Sequence, residues 1–389
     1  MHKLGKRVLI VDDSAIYRRI FEQAAKTLPE VKDVITANSG RDAVKAIQKE
    51  EFDLVLSDMV MPEMDGITTT REILKVRPGQ AIVVVSGVST REASTTMEAL
   101  SAGAIDFIPK PKSGSMQDNM SSIARSIKEL LSAATRPITR SSRLETEWKK
   151  EPTKPPVKSP SIGSPKLSQV PERKSIIAQA NMGQFNADLV LIGISTGGPN
   201  TLQKMLPLLP KDFGAPIIIV QHMPEGFTQA LARQLNNSCN LHVKEADEGE
   251  IAERGTIYIS KGGKHLVVGE KKGPGRYLLK YENSPPVNSC KPAVDVLYSS
   301  VAKLSDIKVV SMILTGMGSD GANGVKELIS SKSIRTFSIT QNAETCVVYG
   351  MPRAVDEANL ADESLPLQSI HERLCQLVRA SHFTARTVA

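Results

Sequence analysis

Runs of consecutive branched apolar residues alternate along this chain with stretches whose apolar positions recur every three or four residues. The first pattern marks strands buried on both faces, and the second marks helices packed against them. In the first third of the chain the strand-like runs fall at 7–13, 31–36, 53–58, 81–86 and 104–108. Ser14 stands as a candidate N-cap before the first helical stretch, with Ile16, Ile20 and Phe21 expected on its inner face. Further helices are predicted at about 39–49 and 117–133. Five βα units of this size predict a doubly wound parallel sheet of order 2-1-3-4-5.

The second half carries three more buried runs, at 189–194, 215–220 and 307–314. After the first of them Leu202, Met205, Leu206 and Leu209 recur at helical spacing, and another helix is predicted at about 292–303. Between these, 241–281 alternates short apolar stretches (255–259, 265–268, 276–279) with turns, which predicts a small antiparallel flap. The expected fold class is therefore α/β throughout. A flavodoxin-like domain at 1–134 is joined by a linker at 135–186 to a doubly wound, Rossmann-like domain at 187–380, with a short tail at 381–389.

Charge sharpens the linker. The 389-residue chain has a formal net charge of +7, and residues 136–174 hold ten Lys/Arg against four acids, a balance of +6. Seven prolines lie in the same stretch, so the excess reads as a flexible, solvated, Pro-rich basic tether and not as a nucleic-acid surface. No apolar run is long enough to span a bilayer, and the first residues show no secretory signal. Cys239, Cys290, Cys346 and Cys375 are far apart and lack metal-type spacing, as expected of reduced thiols in a cytoplasmic protein. Cys290 and Cys346 are expected to be buried structural residues before nucleophiles, and the six histidines show no zinc pattern.

In the first domain, polar chemistry collects at strand ends. The order 2-1-3-4-5 makes strands 1 and 3 neighbours, so Asp12, Asp13 and Asp58 converge at one carboxyl edge. Three close carboxylates repel one another unless a cation sits among them, and Mg²⁺ suits an all-oxygen set. Ser86 and Lys110 end strands 4 and 5 and complete a phosphoryl-acceptor arrangement. Val11-Asp12-Asp13-Ser14, Ser57-Asp58-Met-Val-Met-Pro62-Glu-Met-Asp65-Gly66, Val85-Ser86 and Lys110-Pro111 resemble, in order, the motifs of response-regulator receiver domains. The resemblance implies Asp58 as phosphoacceptor, Mg²⁺ held by Asp13, Asp58 and the Val60 carbonyl with Asp12 helping through water, and Ser86 with Phe107 as the switch pair. Pro109 before Lys110 departs from the usual pattern.

In the second domain the turn at 193–199 has three readings. Gly193-x-Ser195-x-Gly197 fits a nucleophile elbow, Gly193-x-Ser195-x-x-Gly198 fits a dinucleotide fingerprint with Ser at the middle Gly, and both reduce to a tight βα turn. The next strand ends in Gln221-His222, which supplies no acid for a ribose. His222 and Asp320 also follow core strands. A hydroxyl, an imidazole to take its proton and a carboxylate to orient the imidazole form a hydrolytic triad, with Thr196 and Met317 placed to offer oxyanion N–H groups. The order Ser-His-Asp differs from that of α/β-hydrolases, so the fold should be another one.

Gly193-Ile-Ser-Thr-Gly-Gly-Pro199, Gln221-His-Met-Pro-Glu-Gly-Phe-Thr228, Ser289-Cys-Lys-Pro-Ala-Val-Asp295, Leu314-Thr-Gly-Met-Gly-Ser-Asp-Gly-Ala322 and Gln341-Asn-Ala-Glu-Thr-Cys-Val-Val-Tyr-Gly-Met-Pro352 resemble the catalytic domain of chemotaxis protein-glutamate methylesterases, the CheB family. The resemblance implies hydrolysis of glutamate methyl esters on chemoreceptors to glutamate and methanol. It also implies deamidation of receptor glutamines, a chemotaxis histidine kinase as phosphodonor, no cofactor in the esterase site and no membrane insertion. The rival reading is a non-enzymatic, phospho-dependent binding module whose linker grips an anionic partner.

Overall fold

The computed structural model describes residues 5–134 except 88 and 112–114, and residues 171–378 except 182. The first domain runs β1 (Lys6–Val11), α1 (Ala15–Lys26), β2 (Val31–Ala37), α2 (Gly40–Lys49), β3 (Leu54–Asp58), α3 (Gly66–Val76), β4 (Ile82–Ser86), α4 (Thr90–Ser101), β5 (Asp106–Pro109) and α5 (Met116–Ala134). Its five strands form one parallel sheet in the expected order, β2-β1-β3-β4-β5. Local chemistry starts the helices: Ser39 and Asp65 side chains accept from Asp42 N and Thr68 N, and Ser89 with Glu92 forms a capping box on α4. Ser14 takes the N-cap position of α1 without a side-chain cap bond. Ile16, expected on the inner face, is 72% exposed; α1 buries Phe21, Ala24 and Ala25, and Ile16 lies in the first turn, off that face.

The second domain runs α6 (Pro171–Asn181), β6 (Leu189–Ile194), α7 (Gly198–Met205), β7 (Ile217–Gln221), α8 (Phe227–Asn236), β8 (His242–Glu245), β9 (Ile251–Ala252), β10 (Thr256–Ile259), β11 (His265–Gly273) and β12 (Arg276–Glu282). It continues through α9 (Val294–Val301), β13 (Ile307–Ile313), α10 (Ala322–Ser330), β14 (Ile334–Gln341), α11 (Met351–Glu357), β15 (Glu363–Leu365) and α12 (Leu367–Leu377). Seven parallel strands form the main sheet, ordered β15-β14-β13-β6-β7-β10-β8. Every residue of β6 is buried. Successive side chains of a strand point to opposite faces, so Val190, Ile192 and Ile194 enter one apolar layer while Leu189 and Leu191 enter the other.

Two expectations change here. Thr256–Ile259, assigned by its spacing to the flap, is a parallel strand of the main sheet between β7 and β8. Ile257, Tyr258 and Ile259 are all buried, and such a run fits an internal strand better than a one-faced flap strand. The flap is the smaller antiparallel sheet β11-β12-β9. The flexible stretch expected at 135–186 ends in the helix α6. Ile176 and Ala180 are buried in the core of the second domain, and Arg173 donates to Thr336 O and Asp362. Residues 135–170, with most of the basic charge, and the tail 381–389 lie outside the described residues.

The two domains share one apolar layer. Ala93, Met97 and Leu100 of α4 join the core face formed by α7, α8 and α12. Phe107 stacks on Phe227 with centroids 4.5 Å apart, and Asn200 Nδ2 donates to Ala104 O at 2.7 Å. Gln234 Nε2 donates to Met97 O at 3.2 Å.

Candidate active site

In the first domain, ligand atoms of Asp12, Asp13 and Asp58 lie within 4.8 Å of one another. Asp12 and Asp58 are buried and Asp13 is exposed. Lys110 Nζ reaches Asp58 Oδ2 at 2.8 Å and Asp12 Oδ2 at 3.3 Å, and sits 4.4 Å from the Tyr17 ring centroid. Burial pushes the carboxyls of Asp12 and Asp58 up despite Lys110. Asp12 Oδ2 has the Lys110 charge nearby but no hydrogen-bond donor. One ammonium thus neutralises part of an all-oxygen cluster that still has lone pairs to fill, and such a donor set fits a hard divalent cation. Ser86 is fully buried, accepts from Thr96 Oγ1 at 2.7 Å and so ties the end of β4 to α4, the helix that meets α8.

In the second domain, β6 and β7 are in register through Ile194 and Gln221, so Ser195 and His222 leave the sheet side by side. β13 flanks β6 on its other edge. The backbone after it returns to the site at Gly316, where an added Cβ would lie 2.7 Å from Ser195 Cβ, so only glycine allows this approach. His222 Nε2 hydrogen-bonds Asp320 Oδ2 at 2.8 Å. The N-terminus of α9 holds the same carboxylate: Val294 N donates to Oδ2 at 2.6 Å and Asp295 N to Oδ1 at 3.1 Å. Asn288 Nδ2 donates to Oδ1 at 3.0 Å. Burial pushes the Asp320 carboxyl up, but these donors and His222 outweigh it and leave it below its ordinary value. Burial likewise disfavours the His222 imidazolium, yet Asp320 and then Cys290 overcome this and raise its pKa to about 9.

The other His222 nitrogen, Nδ1, lies 3.6 Å from Cys290 Sγ. Ser195, Thr196 and His222 line one cavity of about 460 Å³ with Cys290, Lys291 and Asp106. Among the described residues no hydrogen bond joins Ser195 to His222. The sequence assigned Cys290 to structural burial; it is half-buried and faces the imidazole, a position set by the loop before α9 and invisible in the spacing. Asp295 was likewise only part of a motif. It accepts from Gly321 N at 2.9 Å and Gly324 N at 2.7 Å and so fixes the turn that carries Asp320. An acid in the first turn of a predicted helix was the one signal available for it. His265 is fully buried between Pro285 O and Ala293 N. No helix among the described residues is long and apolar enough to cross a membrane.

The fold and these two clusters describe a hydrolase domain behind a receiver, and comparison with known proteins agrees. The family description "CheB methylesterase" matches residues 190–374 and "Response regulator receiver domain" matches residues 8–120. A protein-glutamate methylesterase/protein-glutamine glutaminase of Desulfotalea psychrophila is 36% identical over 96% of this chain and 98% of its own length. The protein of the same name from Bacillus subtilis is 35% identical over 96% and 98%. The crystal structure of the Thermotoga maritima CheB methylesterase catalytic domain covers 50% of this chain and 100% of that one at 41% identity, with a TM-score of 0.46. The chain belongs to the protein-glutamate methylesterase/protein-glutamine glutaminase family, enzymes that carry a receiver domain ahead of a hydrolase domain.

Proposed function

We propose that the chain hydrolyses methyl esters of glutamate side chains on chemoreceptors, releasing methanol, and deamidates glutamines at the same sites, under control of phosphorylation at Asp58. The observation that carries this reading is the His222–Asp320 hydrogen bond, made by residues that follow the two strands flanking β6, at the cavity that Ser195 lines. Ser195 Oγ attacks the ester carbonyl. Asp320 occupies Nε2, so Nδ1 takes the Ser195 proton and later delivers it to the leaving methoxide. Ser195 and His222 must close on each other for this step, as hydrolase sites do when substrate binds. The Thr196 and Met317 N–H groups, unused by backbone hydrogen bonds among the described residues, face the developing oxyanion. The acyl-enzyme bond to Ser195 is then broken by water, with His222 again as base.

In the receiver, Asp13, Asp58 and the Val60 carbonyl would hold Mg²⁺, with Asp12 acting through water. When bound, the ion supplies charge neutralisation for phosphoryl transfer from a chemotaxis histidine kinase to Asp58. Lys110 holds the phosphoryl group. Ser86 turns towards it and gives up Thr96, and Phe107 leaves Phe227, so the receiver no longer covers the cavity. A thiol nucleophile at Cys290 is the second reading, favoured by its 3.6 Å contact with Nδ1. Methanol release from methylated receptor, with and without phosphodonor, tests both. Loss of turnover in Ser195→Ala but not in Cys290→Ala supports the first reading, and the reverse supports the second.

A further inference from the structure

Asp106 opens β5 and has no part in the acid pocket of its own domain. It lies instead in the wall of the Ser195 cavity. Its Oδ2 accepts from Gly197 N at 3.3 Å, across the domain boundary, and the Thr196 side chain hydrogen-bonds the same carboxyl. Within its own domain its side chain accepts from the next N–H, that of Phe107, at 2.8 Å. Gly197 has a left-handed φ of 74° at the N-cap of α7, and its N–H points at the Asp106 carboxyl. The donors belong to the catalytic domain and directly follow Ser195, while the carboxyl is brought from outside. Lys291 adds a cation to the same wall.

We propose that Gly197 N–H and the Thr196 hydroxyl form a carboxyl-binding subsite of the catalytic face, and that Asp106 fills it as an internal ligand until the receiver moves away. The class of external ligand is an acidic side chain, either one that neighbours the ester on the substrate or the carboxylate released as product. This rests on Ser195 being the hydrolytic centre. The chemistry is matched: a carboxyl offers a carbonyl-type oxygen to an N–H in the geometry an ester or a carboxylate would use. Although part of its surface is open, Asp106 is densely surrounded by protein atoms. Burial pushes its pKa to about 7 against the three donors. Near neutrality much of it therefore carries a proton and is shaped like an uncharged ester. The coupling to the switch is direct, because Phe107, the next residue, stacks on Phe227. Withdrawing that ring draws Asp106 off Gly197.

The test uses the unphosphorylated full chain and glutarate as probe, with glutaramide as the uncharged control. Direct binding, by calorimetry or by amide shifts at Gly197, should be about tenfold tighter or more in Asp106→Ala than in the wild type, the scale of one charge-assisted hydrogen bond. Asp106→Val, which has no acceptor, should give the same order of effects if the alanine variant proves unstable, and Thr196→Val added to either should weaken glutarate again. Glutaramide should not discriminate. Two glutamyl methyl-ester peptides, with Glu or Gln beside the ester, then separate the sources in Asp106→Ala. A lower KM for the Glu peptide assigns the subsite to a neighbouring acid, and equal KM with product inhibition assigns it to the product. Equal glutarate affinity in wild type and both Asp106 variants would overturn the proposal. Normal glutarate binding without Ser195-dependent turnover would instead overturn the esterase reading alone.

Discussion

Replacing Asp320 by Asn tests whether this carboxylate sets the basicity of His222. The amide keeps the shape of the group that Val294 N, Asp295 N and Asn288 hold, and removes the charge that faces Nε2. In the wild type the imidazole pKa is raised to about 9, against burial, by Asp320 and Cys290. From an ordinary value of about 6.5, this is on the order of 3 kcal/mol in favour of the imidazolium. The same interaction stabilises the imidazolium formed when Ser195 loses its proton, so its loss should lower kcat by roughly 10³- to 10⁴-fold. The pH dependence has a definite sign. Only neutral His222 can act as base, so kcat/KM rises with pH through its pKa, and the wild-type acid limb lies well above 6.5. In Asp320→Asn only Cys290 is left to oppose burial, so the limb should fall well below its wild-type position, and Cys290→Ala should also move it down. Stability follows the same group. The Asp320–His222 contribution is fully present below the unfolded pKa of about 6.5 and is lost as pH rises through about 9, so the melting gap between wild type and variant should narrow over that window. The assay is methanol release from a glutamyl methyl-ester peptide by the full chain with phosphodonor, from about pH 5 to 10. An acid limb that stays in place in Asp320→Asn would show that another group governs it and would refute this account of His222.

Other outcomes are expected from the same structure. Arg173 and Asp362 form an ion pair with side chains only 6% and 4% exposed, so Arg173→Ala strands a buried carboxylate and should cost about 3–5 kcal/mol in denaturant unfolding of the full chain. A cost under about 1 kcal/mol would show that α6 is not part of the folded catalytic unit. Phe107→Ala removes the ring stacked on Phe227 and should raise unphosphorylated turnover by about tenfold, the effect of ~1.4 kcal/mol on a closed-dominated equilibrium. Unchanged basal turnover would argue that the receiver does not cover the site. If the stretch before α6 is only a tether, neutralising Lys149, Lys150, Lys154 and Lys158 should leave receptor turnover as it was. A large loss there, with small-ester hydrolysis intact, would show that this charge recruits a partner.

Much of this protein was legible in its residues, because parallel α/β folds write themselves into local pattern. A strand buried on both faces must be continuously apolar, so β1, β3, β4, β6, β7 and β13 stood out. Residues that follow such strands must emerge at one edge, so the sequence alone places Asp12, Asp13, Asp58, Ser195 and His222 there. The misassigned places are those where the pattern was too short or its partner was remote. Thr256–Ile259 has four residues and no local sign of which sheet it joins. α6 follows a proline-rich stretch and is held by Thr336 and Asp362, more than 160 residues away.

Contacts across elements were decided by tertiary structure alone. Cys290 against His222, Asp295 beneath the Asp320 turn and Asp106 on Gly197 each join residues whose separation along the chain carries no period. The same holds for the docking of α4 on α8. Ala93, Met97 and Leu100 read as an ordinary inner helical face, and only the folded chain shows that what they cover is the other domain. Sequence determines which side chains must leave water, since that depends on each residue and its near neighbours. Which buried surface meets which depends on shape and on closing long loops, and only the assembled tertiary structure decides it.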